Sequence, residues 1–288
     1  MINNWFYKQT NIGAQESKAQ RELKRALDGA HNRRIIRVAD RQLLQGTYGR
    51  FLYAINKQGR LIWARAVCSE FSDFFDLGPG HPYPDQQLFF ITLADKGCIT
   101  AHNATVIDIP GFIRKLRQGL RGFSYIAIME PAYYVNIVTG PYSYWNRAMF
   151  WHLHAICWGA SKDEIRSRID RLNRKYGNYR PLAPGLPAAH AKRIPKTFNP
   201  VYHLAIKIRY MLKSPKDSYR LFKRTSTKPK AAAPGRLYFQ KKGRLRPGER
   251  VTLFRLMKDL YLDNLAFAGG QGTEILRHAK RRALQGVK

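Results

Sequence analysis

The chain has 288 residues, 51 Lys+Arg against 19 Asp+Glu, a formal net charge of +32 and 44% hydrophobic residues. That apolar share supports a packed core and excludes a disordered basic tail. So large a charge excess is relieved by a polyanion, which makes nucleic acid the leading partner, and 16 Tyr, 15 Phe and 5 Trp offer surfaces for unstacked bases. No apolar run reaches the length of a spanning helix, and the start at Met1-Ile2-Asn3-Asn4 lacks the apolar core of a secretory signal. No membrane attachment and a cytoplasmic location are expected. Cys68, Cys98 and Cys157 are odd in number and far apart, which fits a reducing compartment rather than a disulfide framework or a cysteine zinc module.

In chain order, Ala14 to Gln45 reads as helical, with Gly29 as a break. Phe51–Asn56 and Leu61–Ala66 flank Lys57-Gln58-Gly59-Arg60 and read as a hairpin, although a helical pair also suits them. Gly78 to Pro84 is a rigid loop and a domain boundary. Beyond it, strands are expected at Leu88–Leu93, Tyr125–Glu130 and Met149–Trp158, with a basic amphipathic helix from Ile109 to Leu120 and a wide hairpin loop at 138–142. Ser161-Lys162-Asp163-Glu164 has the form of a capping box that opens a helix towards Lys175. Gly177 to Pro195 carries four prolines and reads as a long loop. A helix follows at Leu204–Lys213, then a charged linker at Arg224–Gly235. Helices at Arg250–Phe267 and Thr273–Leu284 flank Gly269-Gly270-Gln271-Gly272, read as a helix stop.

The chemistry centres on Trp151-His152-Leu153-His154. Side chains on a strand alternate between faces, so His152 and His154 point the same way and form a two-imidazole site for a divalent cation. Burying two such rings without partners costs about 1–3 kcal/mol each. Glu130 ends an apolar strand that the following hairpin lays beside the histidine strand, and a carboxylate there completes a His-His-acid set with open positions for phosphate oxygens. Tyr210 is the candidate nucleophile. A phenol attacks poorly until its charge is stabilised, and Lys207 and Lys213, three residues to either side on a helix, lie near enough to do so or to hold a phosphate. Tyr134, Tyr202 and Tyr219 compete with it.

Taken in order, these segments resemble the HUH endonuclease superfamily, most closely the rolling-circle replication initiators of plasmids and phages. Phe89-Phe90-Ile91-Thr92-Leu93 is similar to the first motif, the His-hydrophobe-His of His152–His154 to the second, and the Tyr-x-x-Lys of Tyr210–Lys213 to the third. The resemblance spans about Leu88 to Arg220. It implies an α+β fold with a central antiparallel sheet, helical additions at both ends, and a nickase domain over residues 81–225. A mainly helical basic region would occupy 1–80, and a linker with C-terminal helices 226–288. It implies cleavage of single-stranded DNA at an origin to a 5′-phosphotyrosine and a free 3′-OH, with Mg²⁺ or Mn²⁺ on His152, His154 and Glu130. Tyr210 is then the nucleophile and Lys213 positions the phosphate or the tyrosinate. Ile206 stands one turn before Tyr210, where some initiators carry a glutamate or a second tyrosine. Origin duplex DNA, a host helicase and a polymerase are the implied partners. The alternatives are a HUH single-strand transposase and a non-catalytic DNA-binding protein.

Overall fold

The computed structural model describes residues 5–44, 52–78, 85–137, 146–175, 187–196, 200–223 and 238–286. The boundary loop at 78–84 apart from Gly78, the hairpin loop at 138–142 and the linker at 224–235 lie outside them. In chain order the elements begin with α1 (Trp5–Gln9), α2 (Ile12–Asn32), α3 (Val38–Gln42) and α4 (Lys57–Phe74). Next come β1 (Phe89–Ala101), α5 (Ile109–Gly119), β2 (Ser124–Val135), β3 (Arg147–Trp158), α6 (Lys162–Lys175), β4 (Ala189–Arg193) and α7 (Pro200–Leu212). The chain finishes with β5 (Asp217–Lys223), β6 (Tyr238–Arg244), α8 (Pro247–Met257), α9 (Leu262–Leu265), β7 (Ala266–Gly269) and α10 (Gly272–Gln285).

The fold is mixed α/β. One sheet runs β4-β1-β3-β2-β5-β6, and β7 also pairs with β2. The expected antiparallel pattern holds at every pairing except β2 with β5, which is parallel; β3, α6, β4 and α7 lie between these two strands in the chain. The outer edge of β2 is shared: β7 covers Tyr125–Ile128 and β5 covers Tyr133–Val135. Met129 to Ala132 falls in the gap between them. Pro131, which has no backbone N–H to offer a further strand, sits in that gap.

Four expectations change. The region around Lys57–Arg60 is not a hairpin but the first turn of the 18-residue helix α4, capped where the Asn56 side chain accepts from Gly59 N at 2.9 Å. Its buried residues Arg60, Trp63, Ala64, Val67, Cys68 and Phe71 recur at helical spacing, and that periodicity outweighs the β-prone composition. The break in the first long helix falls after Asn32 rather than at Gly29, where Arg34 adopts φ 57° and Arg34 N and Ile35 N donate to His31 O and Ala30 O. Part of the proline-rich stretch before Pro195 is the edge strand β4, held on β1 from Phe89↔Arg193 to Leu93↔Ala189. The expected helix to Phe267 ends at Met257, and Ala266–Gly269 forms β7.

The glycine cluster that follows turns β7 into α10. A side chain at Gly272 would collide with the Tyr125 backbone, so only glycine lets α10 start against β2. Helix α5 covers the face of the sheet opposite the histidines: Phe112 packs on Trp151, and a side chain at Gly119 would meet Leu93 and Leu172 of α6. The capping box at Ser161–Glu164 forms, with Ser161 N donating to Glu164 at 2.7 Å and Glu164 N donating back at 3.2 Å. One hydrophobic cluster joins residues from α1, α2 and α4 to the sheet, α7, α8 and α10, and so runs through all three expected regions.

Helix α7 buries Leu204, Ala205, Ile208, Met211 and Leu212 in that cluster. Its C-terminal end is held by the N-terminal helices. Buried Arg60 donates to Leu212 O at 3.0 Å and to Ala54 O at 2.6 Å. Buried Glu16 accepts from Ser214 N at 2.7 Å and from Ser214 Oγ at 2.5 Å, and lies 4.0 Å from Arg60.

Candidate functional site

Three strands and one helix place the site. Strand β3 carries His152 and His154 on one face, between β1 and β2, with Thr92 and Ile128 opposite His154, and Ala94 and Glu130 opposite His152. The two imidazoles meet edge to face with centroids 4.7 Å apart, and their Nε2 atoms are 3.1 Å apart. Glu130 Oε2 lies 3.6 Å from His154 Nε2. One ligand atom from each of Glu130, His152 and His154 can be chosen so that all lie within 4.8 Å of one another. The structure therefore brings together the three ligands expected from sequence.

The remaining ring nitrogens are committed elsewhere. His152 Nδ1 faces Phe150 O at 3.4 Å, and a carbonyl can only accept, so that contact leaves His152 Nε2 unprotonated in the neutral ring. His154 Nδ1 lies 3.0 Å from Thr92 Oγ1, a hydroxyl able to donate or accept. When Thr92 accepts, both Nε2 lone pairs point at one place, and a bound cation or a proton shared between the rings relieves the repulsion. The spacing suits this: two ligand atoms at right angles on bonds of about 2.1 Å are about 3 Å apart. Glu130 Oε2 is buried without a hydrogen-bond partner among the described residues, the orphan oxygen that a cation would satisfy. The triad can hold a metal ion, and Thr92 and Phe150 O orient its imidazoles from behind.

Tyr210 on α7 faces this cluster. Its ring meets His154 at 5.0 Å and Phe90 at 5.8 Å, both edge to face, while Phe90 stacks on His154 at 5.4 Å. Tyr210, both histidines and Thr92 line one cleft of about 310 Å³. Lys213 Nζ sits 4.2 Å from the centre of the Tyr210 ring and 3.2 Å from Glu130 Oε1, and Lys213 is buried. Lys213 and Glu130 line a smaller cavity in the β2 edge gap together with Arg60, Pro131 and Met257. The ammonium therefore neutralises the acidic ligand from inside the protein.

The cleft holds residues that the sequence motifs do not name. Edge strand β4 brings His190 opposite Thr92 and Lys192 opposite Phe90. Their i, i+2 spacing is a strand signal, masked by the prolines around it. Lys207 reaches in from α7 with its ammonium 5.2 Å from the Phe90 ring centre, and burial and Lys192 hold that ammonium below its ordinary pKa. Of the competing tyrosines, Tyr202 is exposed on α7, whereas Tyr134 and Tyr219 stack at 5.1 Å and line the cleft. Burial pushes the Tyr219 phenol well above its ordinary pKa, and proximity to Tyr210 adds to the rise.

Comparisons of the chain with protein-family models, with curated proteins and with solved structures return no match.

Proposed function

We propose that the protein is a metal-dependent nickase of single-stranded DNA that acts through a phosphotyrosine bond, in the manner of rolling-circle replication initiators. The observation that carries the reading is the meeting of Tyr210 with His152 and His154 in one cleft, with the Tyr210 and His154 rings 5.0 Å apart and Glu130 within reach of both imidazoles. The order of the sequence motifs and the net charge of +32 support it independently.

In this reading Glu130, His152 and His154 would hold Mg²⁺ or Mn²⁺, and the ion would supply a Lewis acid for the scissile phosphate. The Tyr210 phenol oxygen attacks phosphorus as the bond from phosphorus to the 3′-oxygen breaks. The phenolic proton is lost and the leaving oxygen gains one, so the products are a 5′-phosphotyrosine and a free 3′-OH. One phosphodiester replaces another, and the bond is conserved for religation. Lys213 keeps the Glu130 carboxylate compensated and lies against the ring on which phenolate charge develops. Origin duplex DNA, a host helicase and a polymerase are the partners such an enzyme would need.

The test is a denaturing gel of protein with labelled single-stranded DNA and Mn²⁺, wild type beside Tyr210→Phe. A metal-dependent, protease-sensitive covalent band that disappears in the variant is expected. An adduct that survives would move the chemistry to another tyrosine, with Tyr219 next in line by position. No adduct on DNA of the encoding element, with tight binding intact, would turn the reading to a non-catalytic DNA-binding protein.

A further inference from the structure

We propose that Lys192 of β4 and Lys207 of α7, flanked by His190, form a separate seat for a phosphodiester of the bound strand, next to the one being cut. The inference rests on the reading of the cleft as a site for single-stranded nucleic acid, and assigns a position to the strand within it.

The geometry comes from one ring. Lys192 is the direct cross-strand neighbour of Phe90, and Lys207 places its ammonium 5.2 Å from the centre of the same ring. Two cations thus flank Phe90, which itself packs on His154 and Tyr210. His190 lies two residues before Lys192 on the same face of β4, opposite Thr92, and lines the same cleft.

Neither lysine has a carboxylate within ion-pair distance among the described residues. Lys213 has Glu130 at 3.2 Å and Lys242 has Asp217 at 2.8 Å, so the contrast lies within one region of the protein. Two uncompensated ammonium groups held close enough to depress one of them form a repulsive arrangement that a bound anion relieves. Lys207 precedes Tyr210 by about one helical turn, which sets this seat beside the reacting phosphate rather than on it. The roles then divide between the lysines. Lys213 compensates the metal ligands from within, and Lys192 and Lys207 hold the backbone of the strand in the open cleft.

The test uses the full chain carrying Tyr210→Phe, so that no covalent step intervenes, and a fluorescein-labelled single-stranded oligonucleotide of mixed sequence. Affinity is measured by anisotropy across a salt series with Mn²⁺ present, for Lys192→Ala, Lys207→Ala, the pair together, and Lys162→Ala as a control. Lys162 is exposed at the start of α6 and does not line the cleft. Each cleft substitution is expected to lower the slope of log affinity against log salt by about 0.7, and the pair by about 1.4. The control should leave it unchanged. Slopes in the cleft variants equal to that of the control would overturn the seat, as would the absence of oligonucleotide binding by the parent. Failure of the nickase reading is a different result: no covalent adduct with wild type, whatever the slopes.

Discussion

Glu130 and His152 stand directly opposite one another on β2 and β3, although 22 positions separate them in the chain. Their pairing depends on register rather than on separation in the chain. Twelve consecutive residue pairs, from Ser124↔Trp158 to Val135↔Arg147, lock the two strands, and a slip by one residue would turn every side chain to the other face. The carboxylate and the imidazole are thereby placed before any ion arrives. Mn²⁺ should raise the thermal midpoint of the wild-type protein, since a ligand at a hundred times its dissociation constant stabilises by about 2.7 kcal/mol. His152→Ala and His154→Ala should abolish the shift, and Glu130→Gln should reduce it. Titration calorimetry of the four proteins checks this, and equal Mn²⁺ affinity throughout would refute the assignment.

Lys213 and Glu130 form a buried pair, with side chains 7% and 13% exposed. Removing the ammonium alone in Lys213→Met leaves an uncompensated carboxylate beside His154 and should cost about 3 kcal/mol. Lys213→Met combined with Glu130→Gln should recover much of that loss. Because the orphaned carboxylate also becomes a stronger ligand, Mn²⁺ should stabilise Lys213→Met more than wild type. Urea unfolding with and without the ion reads both effects.

A second buried pair works at a distance. Arg60 ties the end of the tyrosine helix through Leu212 O, and burial pulls its guanidinium below the ordinary pKa while Glu16 pulls it back. Glu16→Gln should destabilise the fold by about 3 kcal/mol. The exposed Arg41–Asp28 pair is a control, since breaking it should cost less than about 1 kcal/mol. Denaturant midpoints of the two variants compare them directly.

Buried and half-buried phenols fix an alkaline limit. Tyr219, Tyr125, Tyr133 and Tyr7 all have raised pKa values, with burial as the first cause in each. Cys98, also buried, is pushed up to about 12. An acid whose pKa is higher in the folded state holds its proton there after the unfolded chain has lost it. Its contribution to stability is complete below the unfolded value, about pH 10 for a phenol, and is lost as pH rises beyond it. Denaturant midpoints should therefore fall steeply above about pH 10 and less steeply in Tyr219→Phe. Identical slopes would show that Tyr219 ionises as freely in the fold as in the unfolded chain.

Much of the site is local in origin and so was legible in the sequence. The alternation that sends His152 and His154 to one face is a property of any strand, and the apolar run from Met149 to Trp158 made the strand itself plain. The capping box at Ser161 and the helix around Tyr210 are likewise set by contacts within a few residues. Where the sequence misled, it did so through composition. Tyr, Phe and Ile around Lys57 argued for strands, but the spacing of Trp63, Val67 and Phe71 and their burial in the core made a helix. Prolines hid β4, whose five residues pair with the edge of β1 and are also held by the Asn173 side chain of α6, bonded to Ala189 N and O.

The sequence by itself determined the chemistry available: two imidazoles on one face, a scarce carboxylate, a tyrosine beside lysines and a net charge of +32. Only the tertiary structure decided how these divide. The register of β2 on β3 put Glu130 at His152, the edge gap around Pro131 let Lys213 reach that carboxylate from inside, and β4 carried Lys192 into the cleft from beyond a stretch of prolines. Each of these rests on pairing between segments distant in the chain. Such pairing is fixed by which strands bury which faces, and no local pattern of residues encodes it.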